Sequence, residues 1–343
     1  MTETRPIQPT PVGALRFNTD SAKLEYFDGN QYVNITTDSP ERHTGDTRGL
    51  FGGGYTGGLF QPVTQINVST TGSDSSFGNL QTASRGVSAL GSRTRAVFVG
   101  GYEPGYSNRI QFHSFAHSGT FGTDFGDLTV GMFRPAAFSN ETRGIITSGE
   151  SPNPVPTLNN IINYITIASA GDAVDFGDQT ITTRNGAGMA SPTRGVYFGG
   201  AGPSPGSTNT IQYVTIATTG NASDFGDTNQ AQNTSPQAGC NATRGLLIHS
   251  YDGNPGYTNA VSFITLSTLG NVQDFGDVTT GRSTGATCNS TTRVVFGGGQ
   301  TPTRQNVIDY AQIMSTGNFV DFGDLESTRS QLAGCSNGHG GLG

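Results

Sequence analysis

A tetrapeptide, Asp-Phe-Gly-Asp, recurs at nearly constant spacing along this 343-residue chain and constrains its fold more than any other feature. Five copies begin at Asp124, Asp175, Asp224, Asp274 and Asp321, and a degenerate sixth, Ser-Phe-Gly-Asn, begins at Ser76. Their phenylalanines, 48, 51, 49, 50 and 47 residues apart, are Phe77, Phe125, Phe176, Phe225, Phe275 and Phe322. A fixed period of this length is typical of repeat architectures, so the motif indicates a structural unit before a chemical site.

The last full repeat predicts four short strands, a to d. Strand a lies around 286–288, strand b is VVFGGG (294–299), strand c is VIDYAQI (307–313) and strand d is FVDFGD (319–324). Strand c alternates apolar and polar residues, which is the period of a half-buried strand. Four strands separated by Gly, Ser, Thr and Asn describe an antiparallel meander.

Counting these strands predicts an all-β fold, a six-bladed β-propeller with four-stranded antiparallel blades over residues 46–343. A lone four-stranded sheet leaves its faces uncovered, whereas blades packed around an axis cover one another. After the sixth strand d, the C-terminal segment 329–338 again reads as strand a, so we expect it to close the ring as strand a of blade 1. Strand c carries an aromatic residue in five repeats, and we expect Val68 at that position in the first.

Residues 1–45 lie outside the repeat and predict a small β-hairpin module. Its apolar positions include Phe17, Tyr26, Phe27 and Tyr32, and the Asp28-Gly29 pair marks a tight turn. A piece this small needs a partner surface to be stable. That surface is either another protein or the flank of the propeller itself.

Composition narrows the function. The net charge is −7 with a single lysine, so no basic stripe exists to bind nucleic acid. No apolar run approaches the roughly 18 residues of a membrane span, and the N-terminus lacks the pattern of a secretory signal. The three cysteines, Cys240, Cys288 and Cys335, share one repeat position and are expected to be small buried residues rather than disulfide or zinc ligands.

The repeated motif has two interpretations. Its carboxylates could form a metal-binding ring. Alternatively, Phe packs between blades, Gly permits a bend, and the Asp side chains bond turns or pair with a repeated arginine. Repetition in every blade favours the structural interpretation, with no metal and no cofactor. Two arginine series are available, one preceding strand b and one following strand d. They are Arg48, Arg95, Arg143, Arg194, Arg244 and Arg293, and Arg85, Arg134, Arg184, Arg282 and Arg329.

No catalytic constellation stands out, and we expect a non-enzymatic protein. The histidines, among them His113 and His249, have no HExxH context and are expected at the surface or in turns. The C-terminal segment 338–343 matches G-x-G-x-x-G only formally, because it lacks the strand-turn-helix setting of a nucleotide site.

Recognition is expected on the b–c loops, which vary in length and composition while the a–b and c–d turns repeat. Their aromatic residues form a candidate contact surface: Tyr55, Phe60, Tyr102, Tyr106, Tyr251 and Tyr257. Tyrosine offers stacking area and a hydrogen-bonding tip. The alternative is that these residues only stiffen long loops.

These repeats resemble the kelch family, which shares the period, a glycine doublet closing strand b and an aromatic residue in strand d. The chain departs from kelch by having Phe where Trp is common, and it contains no Trp. More closely, YVTIATTGNASDFGD with TRGVYFGG resembles repeats in structural and tail-fibre proteins of tailed bacteriophages, cyanophages especially. RFNTDSAKLEYFDGNQY in the N-terminal module resembles a segment common in phage fibre and virion proteins, with Tyr32 in place of the usual Trp.

The phage resemblance implies a virion structural protein made in the host cytoplasm, either a tail fibre or a receptor-contacting element with a propeller head. Residues 1–45 would then serve attachment or oligomerisation. Implied partners are other virion proteins of the tail, baseplate or capsid, a host surface glycan or protein, and further copies of the chain. The alternatives are a capsid decoration or head-fibre protein, a cellular kelch-like protein-interaction module, and a glycan-active enzyme.

Overall fold

The computed structural model describes residues 10–18, 23–34, 47–151, 157–202, 206–232, 235–250 and 256–342. The chain divides into two compact units, 1–45 and 46–343. The first contains one three-stranded antiparallel sheet, Leu15–Asn18, Lys23–Phe27 and Tyr32–Asn34, in that order. Its turn is held by Asp28, whose carboxylate accepts the amides of Asn30 and Gln31 at 2.8 Å, and these bonds lower the pKa of Asp28.

The second unit confirms the six-bladed propeller, with four antiparallel strands in every blade. In the order a, b, c and d, blade 1 consists of Ala333–Ser336, Arg48–Gly52, Phe60–Asn67 and Ser75–Ser84, and blade 2 of Ser88–Gly91, Arg95–Val99, Arg109–Ser114 and Thr123–Asp127. Blade 3 consists of Ala136–Ser139, Arg143–Thr147, Thr157–Thr166 and Val174–Thr183, and blade 4 of Ala187–Ala190, Arg194–Phe198, Thr208–Thr215 and Ser223–Gln232. Blade 5 consists of Gln237–Cys240, Arg244–Ile248, Ala260–Thr265 and Gln273–Asp277, and blade 6 of Ala286–Asn289, Arg293–Gly297, Val307–Gln312 and Val320–Asp324.

Smaller elements lie between these strands. Tyr102–Glu103 pairs with Gly105–Tyr106, Gln300–Thr301 pairs with Thr303–Arg304, and Glu150–Ser151 pairs with strand c of blade 3. A single 3-10 turn, Gly340–Leu342, follows the last strand. Blade 1 combines both ends of this unit, because Ala333–Ser336 pairs with Arg48–Gly52 in the register Ala333↔Gly52 to Ser336↔Gly49.

The hydrophobic core is divided among the six interfaces between blades. Each of six apolar clusters combines residues of two neighbouring blades, so the sheets cover one another around the ring. At one interface Phe275 of blade 5 packs against Val294 and Phe296 of blade 6. Each motif phenylalanine lies in the cluster shared with the next blade: Phe77, Phe125, Phe176, Phe225, Phe275 and Phe322.

The Asp-Phe-Gly-Asp motif joins blades through its backbone. At the blade 4–5 interface the carbonyl of Phe225 accepts the Gly270 amide at 2.9 Å. Gly226 has φ +147, and a Cβ there would lie 2.5 Å from the Gly270 oxygen, so this position requires glycine. The equivalent bond from a turn glycine to the motif carbonyl occurs at all six interfaces, with donors Gly72, Gly119, Gly171, Gly220, Gly270 and Gly317.

The motif carboxylates take no part in this contact. All but Asp277, which is half-buried, are exposed, and none forms an ion pair within the described part of the chain. The expectation that they pair with a repeated arginine is therefore wrong. The degenerate copy explains why they are dispensable, because the carbonyl of Phe77 still accepts the Gly119 amide at 2.5 Å where both acids are missing.

The arginines that begin strand b form a second set of contacts between blades. Arg194 lies over the Tyr213 ring of its own blade, 4.7 Å from the ring centroid, and donates to the carbonyl of Leu266 in the next blade at 2.9 Å. All six members donate to the next blade: Arg48, Arg95, Arg143, Arg194, Arg244 and Arg293. The stacked aromatic residue belongs to strand c in five blades.

The strand register corrects the predicted alignment of strand c in blade 1. Phe112 lies opposite Val97 in blade 2, and the residue opposite the equivalent Leu50 in blade 1 is Gln65. Val68 is therefore not the substitute for the aromatic residue. Without a ring at Gln65, Arg48 lies over Phe77 instead, 5.7 Å from its centroid.

Two histidines expected at the surface are buried. His113 is 2% exposed and His249 is fully buried, and desolvation lowers the pKa of each to about 4. Neither ring nitrogen of His113 has a hydrogen-bond partner among the residues that the structure describes, and its ring contacts Phe77 and Phe98 edgewise. It occupies the strand-c position that is Ile165 in blade 3, where an aliphatic side chain fills the same space.

Candidate functional site

The six strands a surround a central channel that encloses a cavity of about 120 Å³. Small side chains line it and bond the neighbouring strand. Ser139 Oγ donates to the carbonyl of Gly91 at 2.7 Å, and Cys288 Sγ donates to that of Cys335 at 3.3 Å. All three cysteines are buried and unpaired, and burial raises the pKa of Cys240 to about 11.

The C-terminal segment closes one end of this channel. His339 is half-buried there, its Nε2 2.7 Å from the carbonyl oxygen of Gly91, and desolvation lowers its pKa to about 4. A Cβ on Gly340 or Gly341 would clash with backbone of blades 3, 4 and 5, so the chain lies directly on them. Arg93 holds the end of the segment by donating to the carbonyl of Leu342. The glycine-rich segment is thus a floor for the channel.

The opposite end, which we call the mouth, is a ring of six residues with positive φ, each lying two residues before a strand a. They are Gly86, Arg134, Asn185, Ser235, Thr284 and Gln331. Backbone bonds connect neighbours around the ring, including Arg134 N to Gly86 O at 2.8 Å and Gln331 N to Thr284 O at 2.7 Å. Positive φ is unusual for residues other than glycine and marks backbone held by its surroundings.

A second layer of paired residues surrounds the mouth. In each described case the residue just before the mouth position forms an isolated antiparallel bridge with the residue following strand b. The pairs are Ser330–Tyr55, Arg85–Tyr102, Phe133–Glu150, Arg184–Ala201 and Ser283–Gln300. Blades 2 and 3 therefore place an aromatic and a charged side chain side by side, blades 1 and 4 contribute one aromatic and one charged residue respectively, and blade 6 places Ser and Gln there.

Three aromatic rings meet on the side of blades 2 and 3. Tyr102, Tyr106 and Phe133 contact one another edge to face, with centroids 6.0 to 6.1 Å apart. Each is half-buried, so part of its surface faces solvent. Phe133 is held closely by the backbone, because a Cβ at Gly86 would strike its ring.

Arginines lie over these rings. Arg85 lies 5.1 Å from the Tyr55 centroid, 5.0 Å from that of Tyr102 and 5.8 Å from that of Phe133. Arg134 lies 4.9 Å from the Phe133 centroid. Desolvation, with Arg85 and Arg184 nearby, lowers the pKa of Arg134 to about 10, so it stays charged at neutral pH. We call this set the mouth cluster: Tyr55, Arg85, Tyr102, Tyr106, Phe133, Arg134, Glu150 and Arg184.

Glu150 is the only acid of the mouth cluster, and it already has partners. It accepts the Tyr106 hydroxyl at 2.7 Å and Arg184 Nη1 at 2.8 Å. Desolvation and this acceptor raise the pKa of Tyr106 to about 12, so the phenol stays neutral and bonded. Within the mouth cluster, three arginines against one carboxylate give a net charge of about +2, on a chain whose net charge is −7.

Several buried polar atoms at the mouth have no hydrogen-bond partner within the described residues. Arg85 Nε and Arg134 Nε belong to the mouth cluster. Asn185 Oδ1 and Gln331 Oε1 belong to the ring of the mouth, and Asn185 is 7% exposed. Such atoms are costly unless a ligand or solvent satisfies them. Together they describe a site with unfilled donors and acceptors.

The structure brings together three of the predicted loop aromatics, Tyr55, Tyr102 and Tyr106. Phe60 begins strand c of blade 1 and is not part of the mouth cluster. The guanidinium carbon of Arg329 lies over its ring, 5.2 Å from the ring centroid. Tyr257 lies at blade 5, and Tyr251 is outside the described residues. The arginines and Phe133 were not recognised as site residues. The feature that could have indicated them is that they occupy equivalent positions of successive repeats, around the channel, at which the residue type differs from blade to blade.

In the N-terminal unit, Phe17 is 62% and Tyr26 is 40% exposed, and the Phe27 and Tyr32 rings lie 5.3 Å apart. Their role in attachment stays a prediction. Within the described ranges, no group of three or more His, Cys, Asp or Glu side chains is arranged to hold a metal ion. No helix among those residues is long and apolar enough to cross a membrane.

No family model matches the chain, and no curated protein matches it significantly.

Proposed function

We propose that this chain is a non-enzymatic structural protein of a tailed-phage virion whose propeller contacts a receptor through its loop face. The observation that carries the proposal is the mouth cluster, a partly exposed group of arginines and aromatic rings with unpartnered polar atoms. Arginine and tyrosine are the residues on which interfaces most depend, and a rigid scaffold limits the entropy cost of binding.

The virion setting rests on resemblance. The repeats are similar to those of phage tail-fibre and structural proteins, and residues 1–45 are similar to a segment of phage fibre proteins. In this proposal the N-terminal unit docks to tail, baseplate or capsid proteins and brings several copies of the chain together. Its exposed apolar residues, Leu15 at 64% and Phe17 at 62%, suit such docking.

Location in the particle tests this proposal. Antibodies raised against the chain are applied to purified particles, and the label is located by electron microscopy. Label at the tail tip or fibres is the expected result. Label on the head would replace the tail role with capsid decoration, and absence of the chain from particles would end the virion proposal in favour of a cellular interaction module.

A further inference from the structure

We propose that the mouth cluster binds a uronate, the carboxylate-bearing sugar of an acidic polysaccharide, with the carboxylate on Arg85 and Arg134 and the sugar ring on the exposed aromatic faces. This inference rests on the receptor-contacting role proposed above. It adds the chemical class of the ligand and the residues that recognise it.

Charge favours an anion. Arg184 is already paired with Glu150 at 2.8 Å, whereas Arg85 and Arg134 have no ion pair within the described part of the chain. Their planar guanidinium groups lie against rings, which fixes their orientation and shields them from water. A planar guanidinium held in this way matches a carboxylate with two parallel hydrogen bonds.

The aromatic rings favour a sugar as the carrier of that carboxylate. Tyr102, Tyr106 and Phe133 form one half-exposed patch beside the two arginines. Aromatic faces accept the C–H side of a pyranose as apolar surface, while tyrosine tips stay polar. A ligand with an apolar face, hydroxyl groups and one carboxylate therefore satisfies both halves of the cluster.

The buried acceptors favour hydroxyl groups next to the carboxylate. Asn185 Oδ1 and Gln331 Oε1 lack donors, and both residues line the channel together with Arg134. A cavity of about 120 Å³ has room for several water molecules or a small substituent, and is too small for a polymer. The polysaccharide would lie across the mouth and direct one substituent inward.

The test is titration calorimetry of the full chain with oligomers of polygalacturonate, alginate and hyaluronan. Each oligomer is compared with its methyl ester, which keeps the sugar and removes the charge. We expect at least one oligomer to bind and its ester to bind at least tenfold more weakly. Arg85→Gln and Arg134→Gln should each weaken binding at least tenfold with an unchanged thermal midpoint. Arg16→Gln in the N-terminal unit removes the same charge elsewhere and should change nothing.

Three results with the sugar oligomers would overturn the inference. They are failure of all three oligomers to bind, equal binding of acid and ester, and an equal loss in Arg16→Gln, which would indicate attraction by overall charge. Oligoglutamate serves as the non-sugar carboxylate, and equal affinity for it would assign the site to an acidic protein. A chain that is found in particles but fails this titration loses only the ligand assignment, so the two proposals fail separately.

Discussion

The two faces of the propeller use the same kinds of residue for opposite purposes. On the face of the a–b and c–d turns, arginine and aromatic residues occupy repeated positions and join blade to blade. On the face of the b–c and d–a loops, arginine and aromatic residues occur only in some blades and keep unpartnered polar atoms. Arg194 has a ring and a carbonyl partner, whereas the partners of Arg85 in the described part of the chain are aromatic rings. Repetition therefore separates residues that assemble the ring from residues available to a ligand.

Backbone contacts explain why the repeated face tolerates sequence change. Its interblade bonds run from a turn amide to a motif carbonyl, and neither group depends on side-chain identity. What the motif must supply is a phenylalanine for the interface and, next to it, a glycine small enough for close approach. The carboxylates remain outside this requirement and contribute mainly to the net negative charge.

Removing a motif ring should have the largest effect. Phe225 is 2% exposed at the blade 4–5 interface, so Phe225→Ala should lower the free energy of unfolding by about 3–5 kcal/mol. The free energy of unfolding is measured by denaturant titration. Val174→Ala, at a 53% exposed position in strand d of blade 3, is the control and should stay within about 0.5 kcal/mol. An equal change in both variants would contradict the interface role of the ring.

Adding a methyl group to a motif glycine should have the second-largest effect on stability. Gly226→Ala places a carbon 2.5 Å from the Gly270 oxygen at φ +147, so we expect a loss of about 2–4 kcal/mol. Gly220 is the matched control, because it has φ +156 with nothing within 4 Å of an added Cβ. Equal losses would show that backbone conformation, and not contact between blades, explains the requirement for glycine.

Much of this face could be predicted from sequence, and the reason is periodicity. The spacing of the motif and the alternation of apolar and polar residues in strand c are enough to predict six four-stranded blades. The mouth could not be predicted, because loops of different length obscure which residues align before strand a. Arg85 follows the motif phenylalanine of its repeat by eight residues and Arg282 follows its own by seven. Arg282 is nevertheless fully buried in an ion pair with Asp309 at 2.7 Å, while Arg85 lies at the mouth.

Histidines were misplaced for a related reason. An isolated polar residue in an alternating strand predicts an exposed position, but His113 occupies an inward position that aliphatic residues fill in other blades. Its burial without a hydrogen bond follows from strand register, which the residue type alone does not indicate.

Removing one interblade arginine should cost less than removing a ring. Arg194→Gln loses a charged donor to the Leu266 carbonyl and its contact with Tyr213, so we expect a loss of about 1.5–3 kcal/mol by denaturant unfolding. Arg194→Lys keeps the charge and should recover only part of the loss, because lysine lacks the planar fork. Full recovery would mean that charge alone explains the contact.

Acid should weaken the interface between blades 1 and 2 through His113. Its pKa is about 4 in the folded chain against about 6.5 unfolded, so below pH 6.5 the unfolded state takes up a proton that the folded state does not. Stability falls as the pH drops from 6.5 to about 4. His113→Ile should remove about 2 kcal/mol of that loss at pH 5. A pH profile of His113→Ile that falls as steeply between pH 6.5 and 4 as that of the parent chain would contradict the assignment.

The smallest expected effect is at the mouth, where the same substitution made on the other face gives the sharpest comparison. Arg85→Gln removes contacts with the rings of Tyr55 and Tyr102, worth roughly 0.5–1 kcal/mol each at exposed sites. It also removes a charge whose Nε is buried without a partner, and relief of that cost offsets the loss. The net change in unfolding free energy should stay below about 1 kcal/mol, less than for Arg194→Gln. If Arg85→Gln lowers the unfolding free energy as much as Arg194→Gln does, Arg85 stabilises the fold. The distinction between the two faces would then fail at the residue on which the proposed ligand binding most depends.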